Sequence, residues 1–193
     1  MNKQKLNNKT NLIDQNGSEG QIDCQVINFL PTTGDKLILD ACSGGRYFWY
    51  NKKHPNTIYV DKRIEGKGHS EFRPNHQVKP DIRADFKNLP FKDETFWLVV
   101  FDPPHLFLGE TSSVSKFYGR LIKDTWQDEI EQGFNECWRV LKNNGTLIFK
   151  WNEFDIKKSY VLEVIGREPL FGHCTNRSTE NTHWFTFMKI PSN

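Results

Sequence analysis

Asp102, Pro103, Pro104 and His105 follow directly on the apolar run Val99 to Phe101, so a buried segment ends in a carboxylate, two prolines and an imidazole. A proline fixes φ and has no N–H, and the residue before it is confined to extended geometry. The Asp102 carboxylate and the neighbouring carbonyl of Pro103 are therefore presented as two acceptors with no competing amide donor. Such a pair suits an exocyclic amine on a base, whose lone pair is delocalised into the ring. Two acceptors, one on each N–H, favour a pyramidal nitrogen facing an electrophile. His105 can stack on a ring, hydrogen bond, or exchange a proton near neutral pH.

Three further aspartates stand at the ends of short apolar runs: Asp40 in "KLILD", Asp61 in "NTIYVD" and Asp85 in "DIRAD". Each run reads as a buried strand, and "TLIFKW" as a fifth. Between Asp124 and Leu141, apolar positions recur every three or four residues, which predicts an amphipathic helix closed near "KNNG" by a left-handed cap on Asn144 and Gly145. Helices are also expected over Glu19 to Leu30, stopped by Pro31, and over 155–165. "HWFTFMKI" closes the chain as a strand with its hairpin partner near "PLFGH". Strands alternating with helices imply parallel pairing and right-handed crossovers. The fold expected is α/β, a Rossmann-like three-layer sandwich around a seven-stranded, mostly parallel sheet with one antiparallel edge strand. In such sheets ligands sit beyond the carboxyl ends of the strands, and the four aspartates would share that rim. Residues 1–18, polar and rich in Asn and Lys, are expected to be a disordered or loosely packed arm, and residues 19–193 a single domain.

"LDACSGGRYFW" reads as a strand turning tightly into a helix, with small residues that let backbone approach a ligand. It has neither the full G-x-G-x-x-G of a dinucleotide site nor the Gly-Lys-Ser/Thr of a phosphate loop. The stretch resembles the acidic-x-Gly-x-Gly-x-Gly loop of class I S-adenosylmethionine-dependent methyltransferases. Asp40 matches the acidic position and Gly44 the middle glycine, while Cys42 and Arg46 replace the outer two. The resemblance implies S-adenosylmethionine as methyl donor and Asp40, with the backbone of Ala41 and Gly44, near its amino-acid end. It further implies Asp61 on both ribose hydroxyls, Asp85 on the adenine amino group, Phe86 beside the adenine ring, and Asp102 at the donor. "DPPH" is similar to the Asp/Asn-Pro-Pro-Tyr/Phe/Trp signature of amino-methyltransferases, with His105 in the aromatic place. This implies Asp102, Pro103 and His105 as the catalytic group. Taken together, "LDACSGGRYFW", "VVFDPPHL", "ECWRVLKNNGTLIFKWNE" and "THWFTFMK" resemble small methyltransferase-like proteins of phages and prophages.

Lys116 and Arg120, interleaved with aromatic residues in the long connector after the elbow, are candidates for holding phosphate, and Lys150 and Asn152 lie on the same expected rim. With 26 Lys and Arg against 24 Asp and Glu, net charge +2 and mean hydropathy −0.68, the chain is not a bulk polycation. Contact with nucleic acid would need a local patch. The four cysteines show no Cys-x-x-Cys and predict neither a disulfide frame nor a metal. No leader or membrane span is evident, which suggests a cytoplasmic setting without membrane contact. The expected activity is N-methylation of a base in DNA or RNA, flipped or single-stranded, with a partner protein supplying sequence recognition. Methylation of a protein side chain or small molecule, and cofactor binding without transfer, are the other readings.

Overall fold

The computed structural model describes residues 36–172 and 181–191, together with the backbone of 11–13 and 19–21. The chain divides into two units, 1–35 and 36–193. In the first, β1 (Asn11–Ile13) pairs antiparallel with β2 (Glu19–Gln21). The first three residues of the helix expected from Glu19 are therefore a strand, and its remainder lies outside the described residues, as does most of the expected arm.

The second unit is built on a seven-stranded sheet. Its first four strands are β3 (Ile38–Asp40), β4 (Thr57–Asp61), β5 (Ile82–Arg83) and β6 (Phe96–Phe101). They are followed by β7 (Leu141–Asn152), β8 (Phe171–Gly172) and β9 (Thr182–Met188). The spatial order is β5-β4-β3-β6-β7-β9-β8. The first five positions pair in parallel, and β9 runs antiparallel between β7 and the two-residue edge strand β8. The hairpin partner expected near "PLFGH" is β8. Among the described residues no helix is long and apolar enough to cross a membrane.

Helix α1 (Ser113–Tyr118) and helix α2 (Trp126–Val140) connect β6 to β7, and α3 (Lys158–Ile165) follows β7. The buried face of α2, which includes Ile130, Phe134 and Cys137, lies on β6 and β7, where the Phe134 ring meets those of Phe149 and Phe187 at 6.2 and 5.0 Å. Gly133 belongs on that face because a Cβ there would come within 2.5 Å of the Phe86 ring. The alternation of β7 is strict from Gly145 onward: Leu147, Phe149 and Trp151 are fully buried, whereas Ile148 and Lys150 on the opposite face are partly exposed.

Two expectations are corrected here. The helix ends at Val140 and Leu141 is already extended, so Asn144, left-handed at φ 63°, sits in an irregularity of the new strand and not in a helix cap. No helix follows β3 or β4 in the described residues, where 41–56 and 62–81 are turns and bends. Consecutive side chains of 41–56 explain this. Tyr47 stacks on His76, Phe48 meets Trp184, and Trp49 meets Tyr59 edge-on. Three successive residues of a helix point about 100° apart, so a helix could not satisfy all three.

Candidate functional site

The carboxyl ends of the parallel strands form one rim, and the first carboxylate there is Asp40. It is wholly buried, accepting the indole N–H of Trp49 at 2.7 Å and, more weakly, the Cys42 N–H at 3.4 Å. Burial pushes its pKa up from the ordinary 3.8 to about 7, with Asp102 and Asp61 adding repulsion and the Trp49 bond opposing it. Asp40 supports the turn above it and does not line the cavities described below.

Asp61, at the end of β4 and almost fully buried, is saturated. One oxygen takes the Gly44 N–H at 2.9 Å and Arg63 Nη2 at 3.2 Å; the other takes the Arg63 backbone N–H at 2.9 Å and Arg63 Nε at 3.1 Å. Gly44 reaches Asp61 from the left-handed region, φ 47°, which glycine adopts without cost. Arg63 also donates to the Phe117 carbonyl at 3.4 Å, joining the loop after β4 to the connector after β6.

Two cavities open on this rim, sharing Cys42, Arg63, Asp102 and Tyr118 as walls. The larger, about 850 Å³, contains Gly44, Pro103, His105 and Lys150 and is ringed by Tyr47, Phe48, Phe72 and Phe117. The smaller, about 420 Å³, contains Ala41, Asp61 and Phe86.

At the mouth of β6 the Asp102 carboxylate is asymmetric. Oδ2 accepts Lys150 Nζ at 2.7 Å, and the buried Oδ1 has no hydrogen-bond partner. His105 Nδ1 lies 4.0 Å from Oδ1, and its N–H donates instead to the Pro103 carbonyl at 3.0 Å. That bond makes Nε2 the lone-pair nitrogen of the neutral ring, and burial lowers the His105 pKa, which favours the neutral form at pH 7. The elbow thus holds one carboxylate oxygen committed to Lys150 and one that is buried and, among the described residues, unpartnered.

The structure brings Asp102, Pro103, His105, Lys150 and Gly44 together in the larger cavity. Lys116 and Arg120 instead line the smaller one, where Arg120 pairs with Glu110 at 3.3 Å. Asp85 lies two residues beyond β5, is one-third exposed, and accepts the Lys87 N–H at 2.9 Å; it lines neither cavity. Asn152 has a local structural role, bonding Thr182 Oγ1 and the Phe154 N–H, both at 3.0 Å. His173 lies outside the described residues. Sequence reasoning missed Arg63, Trp49 and the aromatic ring of the cavity. The available signal for Arg63 was its position two residues after Asp61, where an arginine can fold back on a strand-end carboxylate.

S-adenosylmethionine fits this rim in part. Two adjoining cavities with Asp102 on the wall of both leave room for a donor and an acceptor, whereas Asp61 can receive ribose hydroxyls only if Arg63 turns away. Among the described residues no group of three or more His, Cys, Asp or Glu side chains is placed to hold a metal ion.

No protein-family model and no curated protein matches the chain. Solved structures do. A putative rRNA-methylase from Clostridium thermocellum matches with a TM-score of 0.51 at 13% identity, over 86% of this chain and 96% of that one. The 16S rRNA (adenine(1408)-N(1))-methyltransferase W203A mutant from Catenulisporales acidiphilia gives 0.49 at 10% identity, over 91% and 95%. A SAM-dependent methyltransferase from Leishmania major gives 0.46 at 17% identity, over 84% and 68%. At these identities the likeness is one of fold alone, the mostly parallel α/β sheet described above.

Proposed function

We propose that the chain is an S-adenosylmethionine-dependent methyltransferase whose acceptor is an exocyclic amine of a nucleic-acid base. The observation that carries this is Asp102 at the end of a central strand, on the wall of a cavity ringed by aromatic side chains, with its Oδ1 buried and, among the described residues, without a hydrogen-bond partner. Bound S-adenosylmethionine would supply an electrophilic methyl on a sulfonium. Once the side chains covering it give way to the bound base, Asp102 Oδ1 accepts one N–H of the amine and draws its lone pair out of conjugation. Lys150 holds the other carboxylate oxygen and fixes which lone pairs face the cavity. Pro103 keeps the elbow extended, and its carbonyl, already bonded to His105, retains a second lone pair for the other N–H. His105 presents an imidazole face where the aromatic residue of the amino-methyltransferase signature would stack. Ala41, Gly44, Asp61 and Phe86 are assigned to the donor, and the aromatic ring of the larger cavity to the acceptor base.

The test is incubation with radiolabelled S-adenosylmethionine and separate pools of DNA, RNA and protein. Label entering DNA or RNA, and lost in Asp102→Ala, is expected. Label entering only protein or small molecules would replace the acceptor, and cofactor binding without transfer to any pool would refute the activity.

A further inference from the structure

A third cavity, about 610 Å³, lies behind the candidate site, separated from it by the Gly44-Gly45 turn that lines both. Lys36, Lys52, Lys53 and Lys79 converge on it from three segments: the lead-in to β3, the loop after β3 and the loop after β4. None of these four ammonium groups has a carboxylate within 4.0 Å among the described residues. The one acidic side chain on the wall, Asp81, is spent on Arg46 Nη2 at 3.2 Å and on the Tyr59 N–H at 3.1 Å.

Arg46 makes this cluster a built feature. It stands where the resemblance calls for glycine, and it adopts the left-handed conformation, φ 57°, that an arginine side chain disfavours. Its guanidinium lies 3.6 Å above the Tyr59 ring and donates to the Lys52 carbonyl at 2.7 Å and the Lys79 carbonyl at 2.8 Å. One strained residue therefore pins together the backbones of two lysines whose charges repel. An arrangement that gathers like charges by fixing the backbone that carries them, and leaves their ammonium groups without carboxylate partners among the described residues, is suited to an anion.

We propose that this cavity binds the phosphodiester backbone of the nucleic-acid strand whose base enters the larger cavity, with the Gly44-Gly45 turn as the ridge the strand crosses. This rests on the reading of the site as a base methyltransferase, and it supplies the local patch that a net charge of +2 does not. The test is read without transfer, so it can fail independently of that reading. Binding of a labelled single strand of RNA or DNA is followed by anisotropy at several salt concentrations, for the wild type, K52Q/K79Q, and K92Q/K142Q as a charge-matched control. K52Q/K79Q is expected to weaken binding about tenfold and to make the salt slope shallower by about 1.4, near 0.7 per lost phosphate contact. The control is expected to bind nearly as the wild type, and both to keep wild-type S-adenosylmethionine affinity by calorimetry. Should K52Q/K79Q unfold, K36Q/K53Q reads the same loss from the remaining lysines. Equal weakening in test and control overturns the proposal. So does a wild type that binds no strand, or saturable binding of inorganic phosphate that displaces the strand at low millimolar concentration.

Discussion

Replacing Asp40 by Asn should stabilise the protein above neutrality and leave it nearly unchanged in acid. Asp40 is buried, and its two hydrogen bonds, from Trp49 and Cys42, do not offset the loss of water around a charge that also faces Asp61 and Asp102. Its pKa is about 7 when folded against the ordinary 3.8. A folded-state pKa above the unfolded value means that the unfolded chain gives up its proton first as pH rises. The resulting loss of stability sets in above pH 3.8 and is complete once pH passes about 7. At about 1.4 kcal/mol per pH unit, the span corresponds to about 4 kcal/mol as an upper figure. Asn has no charged form, and its oxygen can still accept from the Trp49 indole. The assay is urea unfolding of wild type and Asp40→Asn at a series of pH values from acid to mildly basic, followed by tryptophan fluorescence. The difference between the proteins isolates Asp40 from His76 and His105, whose lowered pKa values act on both equally. A difference that stays flat with pH, or a variant less stable than wild type above neutrality, would refute the reasoning.

Asp102→Ala should lower transfer by about a thousandfold or more while S-adenosylmethionine affinity changes little, as read by single-turnover kinetics and calorimetry. Arg63→Ala should tighten cofactor binding several-fold by freeing one acceptor position on each Asp61 oxygen, the backbone N–H bonds from Gly44 and residue 63 remaining, and Asp61→Ala should weaken it; calorimetry on the two variants reads opposite signs. Phe134→Ala, in the fully buried contact of α2 with Phe149 and Phe187, should cost about 3–5 kcal/mol in denaturant unfolding.

Much of the sheet was legible because its strands are short apolar runs with abrupt ends: Leu39 and Val60 are fully buried, and Asp40 and Asp61 are the last residues of their strands. The apolar run "TLIFKW" likewise announced β7, whose alternating burial the structure adds, and the spacing of Ile130, Phe134 and Cys137 announced α2. The segment after β3 was not legible, because a small-residue turn reads as a helix start whether or not one follows, and the partners of Tyr47 and Phe48, His76 and Trp184, are distant in sequence. At the site, the proline elbow declares itself locally, and so Asp102, Pro103 and His105 were found together. Lys116 and Arg120 were assigned to the substrate by composition, yet the connector's turn at Gly119, φ 81° and packed against Pro104, accompanies their placement beside Asp61. Arg63 escaped notice because Asp61 was read only for the ligand it could take, although an arginine two residues on can fold back on it, as Arg63 does.

The most direct measurement is a crystal structure with S-adenosylhomocysteine. The account predicts the ligand along the strand-end rim between the Gly44 turn and Asp102, with its ribose on Asp61 and the Arg63 side chain swung away. Density at the opposite end of the sheet, or an empty rim with Arg63 still closed on Asp61, would contradict it.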